Sequence, residues 1–151
     1  MAEPTRYFGK YRGTVVNNND PLRQGRLTAQ VPDVLGDTPC TWALPCLPVA
    51  EQQMGVFVLP LTGSGVWIEF EQGDINYPVW VGCFYASAAE VPSDALTGPP
   101  TSPNILLRTA GGHEVLTGCR RLRQTIRHEV PHEVDVRAKG VVRPSGPWVP
   151  R

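Results

Sequence analysis

The chain has 151 residues, the size of one ordinary domain with a short appendage, and 41% of them are hydrophobic against 19% charged. That balance supports a packed core and excludes wholesale disorder, while fifteen glycines and sixteen prolines exclude a fold of long helices. The net charge of zero hides a division: residues 1–98 carry five basic against ten acidic side chains and residues 99–151 nine against four, and the break falls in a Pro/Ser/Thr-rich stretch that reads as a boundary.

The opening residues, MAEPTRYFGK, contain no apolar leader core. No apolar run approaches the roughly 18 residues of a membrane span. Synthesis in the cytoplasm is the expectation. Cys40, Cys46, Cys83 and Cys119 form no CxxC pair and are expected as buried free thiols, with Cys40 and Cys46 the two near enough in sequence to bridge.

In chain order, Tyr7 to Val16 is rich in aromatic and β-branched residues and reads as a strand ending at the turn signal Asn17-Asn18-Asn19-Asp20-Pro21. Gly25 to Val31 alternates, with Leu27, Ala29 and Val31 on one face. Thr38 to Met54 has little periodicity and reads as an extended, docked loop. Gly55 to Leu61 is a buried-type strand, joined through Thr62-Gly63-Ser64-Gly65 into a hairpin with the alternating Val66 to Glu71. Tyr77 to Tyr85 supplies the closing strand. Five strands with this spacing suit an all-β, five-stranded OB-type barrel, closed so that no sheet edge is left unpaired, although the alternation alone does not separate a barrel from a sandwich. Val15, Leu27, Ala29, Val31, Val66, Ile68, Phe70, Val79 and Val81 are expected to line it. Residues 1–86 form this barrel, 87–103 a linker with at most one helical turn, and 104–151 a short β segment with an irregular tail. Within the last, Ile105 to Arg108 and Glu114 to Leu116 flank Gly111-Gly112 as a hairpin, and Glu133 to Arg137 alternates as strand.

Three pieces, YFGKYRGTVVNNNDPLRQGRLTAQVPDVLG, GVFVLPLTGSGVWIEFEQGD and YPVWVGCFY, resemble in order and spacing the phage baseplate assembly protein V family and the OB domain of VgrG-like spike proteins. Ser102 to Ile105 and Arg108 to Val115 resemble the approach to that family's C-terminal spike. The resemblance implies a structural, non-enzymatic component of a contractile phage tail or a phage-tail-like contractile injection system. It implies a homotrimer seated on a trimeric baseplate hub, with an intertwined trimeric β spike aimed at the target membrane and a PAAR-type tip protein as a further partner. The particle is then a virion tail baseplate or an injection machine, and no cofactor and no nucleic acid are expected. The chain departs from the family beyond the hairpin, where it is short and Arg-rich. Ile105, Leu107, Val115 and Leu116 are expected to face the three-fold axis or a neighbouring chain.

Chemical motifs are few. His128-Glu129-Val130-Pro131-His132 matches HExxH, but that motif needs a helix to put both histidines on one face, and Pro131 breaks a helix at a cost of about 3 kcal/mol. His113, His128 and His132, with Cys119, are weak candidates for an axial metal site, since three-fold symmetry turns one residue into three ligands. Gly63-Ser64-Gly65 and Gly111-Gly112 lack the Lys-Ser/Thr of a phosphate cradle and read as turns. Trp42, Trp67 and Trp80 read as core and interface anchors. The alternative function is an OB-fold single-stranded nucleic-acid-binding protein stacking bases on Tyr7, Phe8, Tyr11 and Trp67. The acidic balance of residues 1–98 opposes it, because phosphate binding relies on cations.

Overall fold

A computed structural model of the protein describes residues 5–97, 99–101 and 104–117. The HExxH segment with His128 and His132, Cys119, the arginines at 120–123, the stretch Glu133 to Arg137 and the C-terminal tail lie outside the described residues. The chain divides into two units, Met1–Val91 and Pro92–Arg151.

The first unit is mostly β. Its elements are β1 (Tyr11–Asn17), β2 (Thr28–Gln30), a one-turn helix α1 (Pro32–Leu35), β3 (Leu44–Pro45), β4 (Ala50–Glu51), β5 (Met54–Gly55), β6 (Gly65–Phe70) and β7 (Pro78–Phe84). One curled sheet runs β2-β1-β6-β7-β3, antiparallel throughout except for β3 beside β7. Two isolated bridges, Leu27 to Ala43 and Gln30 to Pro39, tie the segment leading into β3 to the β2 side. The loop expected over Thr38 to Met54 is therefore docked by main-chain hydrogen bonds, with Cys40 N–H donating to Ala29 and Ala43 exchanging bonds with Leu27.

The core gathers Val15, Leu27, Ala29, Val31, Val66, Ile68 and Phe70 as the alternation predicts, and adds Cys40, Ala43 and Trp80. Val79 and Val81 do not belong to it. On β7 the buried residues are Pro78 and Trp80. The cause is a bulge: Trp67 pairs Gly82 while Ile68 pairs Trp80, leaving Val81 without a partner and reversing the phase of inward and outward positions.

The largest departure is Gly55 to Leu61. Only Met54 and Gly55 enter a strand there, and they pair back onto Ala50 and Glu51. No hairpin with β6 forms, because β6 already has β1 on one side and β7 on the other. The Gly63-Ser64 turn docks on β1 instead, through Gly63 N–H to Val15 O and Val15 N–H to Ser64 O. Among the described residues, Cys40, Cys46 and Cys83 are free, and of these three only Cys40 is buried; burial raises its thiol pKa above the ordinary value.

Two 3₁₀ turns, Ala88–Glu90 and Ser93–Leu96, occupy the stretch expected to hold one turn at most. In the second unit the predicted hairpin is present as β8 (Ile105–Arg108) and β9 (Glu114–Thr117), paired antiparallel from Ile105/Thr117 to Arg108/Glu114. Its loop closes with Thr109 N–H to His113 O, and Gly112 supplies the left-handed φ of +82° that the turn requires. The Asn104 side-chain amide steadies the Ser93–Leu96 turn by donating to Asp94 O and Thr97 Oγ1.

Candidate functional site

The loop from β1 to β2 is organised by one carboxylate. Asp20, read from sequence only as a turn residue, is buried. It accepts hydrogen bonds from the Leu22, Gln24 and Arg26 backbone N–H groups and from the Arg26 guanidinium through Nε and Nη2. The Arg26 side chain holds the Asp20 carboxyl well below the ordinary carboxylate range; burial opposes this and the three N–H groups reinforce it. Arg26 also lies over the Trp42 ring, 5.5 Å from its centroid. The spacing Asp20-Pro21-x-x-x-Gly25-Arg26 was visible in the sequence, but pairing across six residues follows only from the loop's path.

Beyond this loop the first unit presents an apolar surface. Val49, Met54, Val56, Phe57, Val58 and Leu61 are all exposed, Phe57 at 65% and Val58 at 68%. From Leu44 to Gly65 the only charged residue is Glu51. Phe57 packs on Gly25, where an added Cβ would stand 3.1 Å from the ring, and Asn18 Nδ2 holds Pro60 O at 2.9 Å. Among the described residues, the backbone N–H groups of Phe57, Val58 and Leu59 make no main-chain hydrogen bond. Exposed apolar side chains concentrated in one segment are a feature that interaction sites share.

A second surface lies on the outer face of the sheet. Arg12 on β1 pairs Trp67 on β6, and its guanidinium carbon sits 5.1 Å from the Trp67 ring centroid and 4.9 Å from that of Phe84. Trp67 and Phe84 are themselves 4.9 Å apart. Gly65 makes this stacking possible, since a Cβ there would approach Phe84 to 2.7 Å. Replacing Gly65 with alanine is expected to displace the Phe84 ring and cost about 1–3 kcal/mol, read as a lower denaturation midpoint. An unchanged midpoint would show that the ring yields without cost. The neighbouring Lys10 forms an ion pair with Glu69.

The aromatic set proposed for base stacking is divided by the fold. Tyr7 and Tyr11 turn against Phe70, with centroids 6.5 and 5.8 Å from it, Phe8 is exposed, and Trp67 lies in the outer stack. In the second unit, antiparallel pairing puts Ile105, Leu107 and Val115 on one hairpin face. Ile105 and Leu107 are 68% and 69% exposed and Val115 47%. Leu116 pairs Leu106 and so lies on the other face, apart from the three residues grouped with it by sequence. Arg108 is on that face too, 3.2 Å from Asp94 and 4.0 Å from Glu114. The His113 ring is 3.5 Å from Thr109 Oγ1. Among the described residues no three His, Cys, Asp or Glu side chains assemble as a metal site, and no helix is long and apolar enough to cross a membrane.

Comparison with curated proteins finds no match. Comparison with protein families does: residues 11–85, the span from β1 to the end of β7, match the type VI secretion system/phage-baseplate injector OB domain. That span contains the whole curled sheet, the Asp20–Arg26 loop and both exposed surfaces of the first unit. Through residues 11–85, the chain belongs to the phage-baseplate and type VI secretion injector OB-domain family.

Proposed function

We propose that the protein is a structural, non-enzymatic part of the central spike of a contractile phage tail or a related injection system. In this reading the first unit closes as a five-stranded OB barrel, and three copies stand on a trimeric hub. The C-terminal segments form a spike aimed at the target membrane, with a PAAR-type protein at the tip. The observation that carries it is the family match over the full curled sheet. Closure is supported by the bridges from Ala43 and Pro39 to β2 together with the parallel pairing of β3 with β7, which give the 39–45 segment a neighbour on either side.

Trimerisation is supported by apolar surface that one copy leaves uncovered. A two-stranded hairpin is marginal alone, and β8–β9 exposes Ile105, Leu107 and Val115 on one face. Three such faces around an axis bury one another. The mass of the purified protein by light scattering is expected to be that of three chains. Changing Leu107 to Asp is expected to shift the protein to monomer at micromolar concentration while the circular dichroism of the β sheet is retained. A trimer that survives this substitution, or a wild type that is monomeric at every concentration, refutes the arrangement.

A further inference from the structure

The outer stack on the sheet has a feature that packing alone does not require. A guanidinium held against two aromatic rings is positioned by cation–π contact, and those of its N–H groups that still face solvent can read a carboxylate in two parallel hydrogen bonds. Arg12 is in this state. It lies over Trp67 and Phe84, remains exposed, and is in no ion pair among the described residues. By contrast, Lys10 and Arg26 of the same unit are matched with Glu69 and Asp20.

The same unit has carboxylates to spare. Asp33 on α1 and Asp37 just after it are exposed and in no ion pair among the described residues. They follow β2, on the flank of β1 opposite to β6 and β7. The cationic stack faces outward over β6 and β7. The unit thus carries an exposed, unmatched cation at one place and exposed, unmatched carboxylates at another, which is the complementarity that a head-to-tail contact between identical copies uses, the kind that closes into a ring.

We infer that Arg12, held by Trp67 and Phe84, binds the Asp33 and Asp37 carboxylates of a second copy of this chain. This rests on the trimer proposed above and adds to it a polar contact between first units, separate from the hairpin faces. Tryptophan and arginine at its centre are the residue types that dominate interface energies.

The test is charge reversal in the full-length protein, with assembly followed by sedimentation over a concentration series. Arg12→Glu is expected to weaken association about ten-fold or more, and the double change Asp33→Arg with Asp37→Arg to weaken it similarly. Combining the reversals on both sides is expected to restore most of the loss. Should Arg12→Glu disturb the stack enough to unfold the unit, the exposed aspartates report the same contact from the other side. A wild type that is monomeric removes the trimer and this contact together. A trimeric wild type whose reversals on either side assemble as tightly as it does, or whose combined reversal fails to recover, overturns this contact alone.

Discussion

Changing Trp80 to alanine is expected to destabilise the first unit by about 3–5 kcal/mol, a large share of the roughly 5–15 kcal/mol that holds a domain folded. Trp80 is 6% exposed and lies where three parts of the unit meet. It is opposite Ile68 on β6 and beside Pro45 of β3, and its indole Nε1 donates to Gly25 O at 3.0 Å. Its own carbonyl accepts from Cys46 N–H, so the backbone contact remains while the side-chain contacts go. Alanine therefore leaves a cavity and strips the Gly25 carbonyl of its partner. Trp80→Phe keeps most of the packing and loses the hydrogen bond, so about 1–2 kcal/mol is expected. Urea denaturation followed by circular dichroism separates the two. A loss below about 1 kcal/mol for Trp80→Ala would mean that the sheet is held without this anchor.

Removing the Asp20 carboxylate is the second large effect. Asp20→Ala deletes five accepted hydrogen bonds and leaves the Arg26 guanidinium, whose side chain is 17% exposed, without its anion. A melting temperature lower by several degrees at neutral pH is expected. The pH dependence gives a sharper check. Because Arg26 lowers the folded-state pKa of Asp20, the carboxylate stabilises the fold fully above the unfolded value of about 4. That contribution is lost as pH falls through the depressed folded value. Wild type and Asp20→Ala should therefore differ most near neutrality and converge in acid. Melting curves that stay equally separated from about pH 7 down to about pH 2 would show that the charge of Asp20 does not hold the loop.

The parts of this fold that were legible in sequence are those whose pattern is local. Val66, Ile68 and Phe70 alternate without interruption, and so do Leu27, Ala29 and Val31; all six are buried. The β8–β9 hairpin was readable from Gly111-Gly112 between apolar runs. What is not legible depends on register or on a partner. Val79 and Val81 carry the right chemistry for a core, but the bulge at Val81 turns the bulkier Trp80 inward. Leu116 is apolar like Leu107, yet its pairing with Leu106 sends it to the other face. Hydrophobicity in Gly55 to Leu61 suggests burial within the chain, although it states only that the segment is costly to leave in water. The stack of Arg12, Trp67 and Phe84 joins three strands, and nothing within any one of them announces it. Asp20 reads from sequence as part of a turn and Gly25-Arg26 as the start of a strand, while the bonds between them depend on the loop's actual course.

The parallel pairing of Leu44 and Pro45 with Val79 and Trp80 has a consequence for biosynthesis. A nascent polypeptide elongates from its amino end, so β1, β2 and the 39–45 segment leave the ribosome well before the strand that locks them. Until β7 emerges, Leu27, Ala29 and Val31 lack the Trp80 side of their core, and β6 lacks one neighbour. Such late, non-local completion slows folding and prolongs the interval in which chaperones or sister chains on the same message meet sticky intermediates. Premature termination anywhere before Phe84 yields a product that degradation machinery should clear, whereas a stop placed just after the first unit leaves every strand of that sheet with its native pairing.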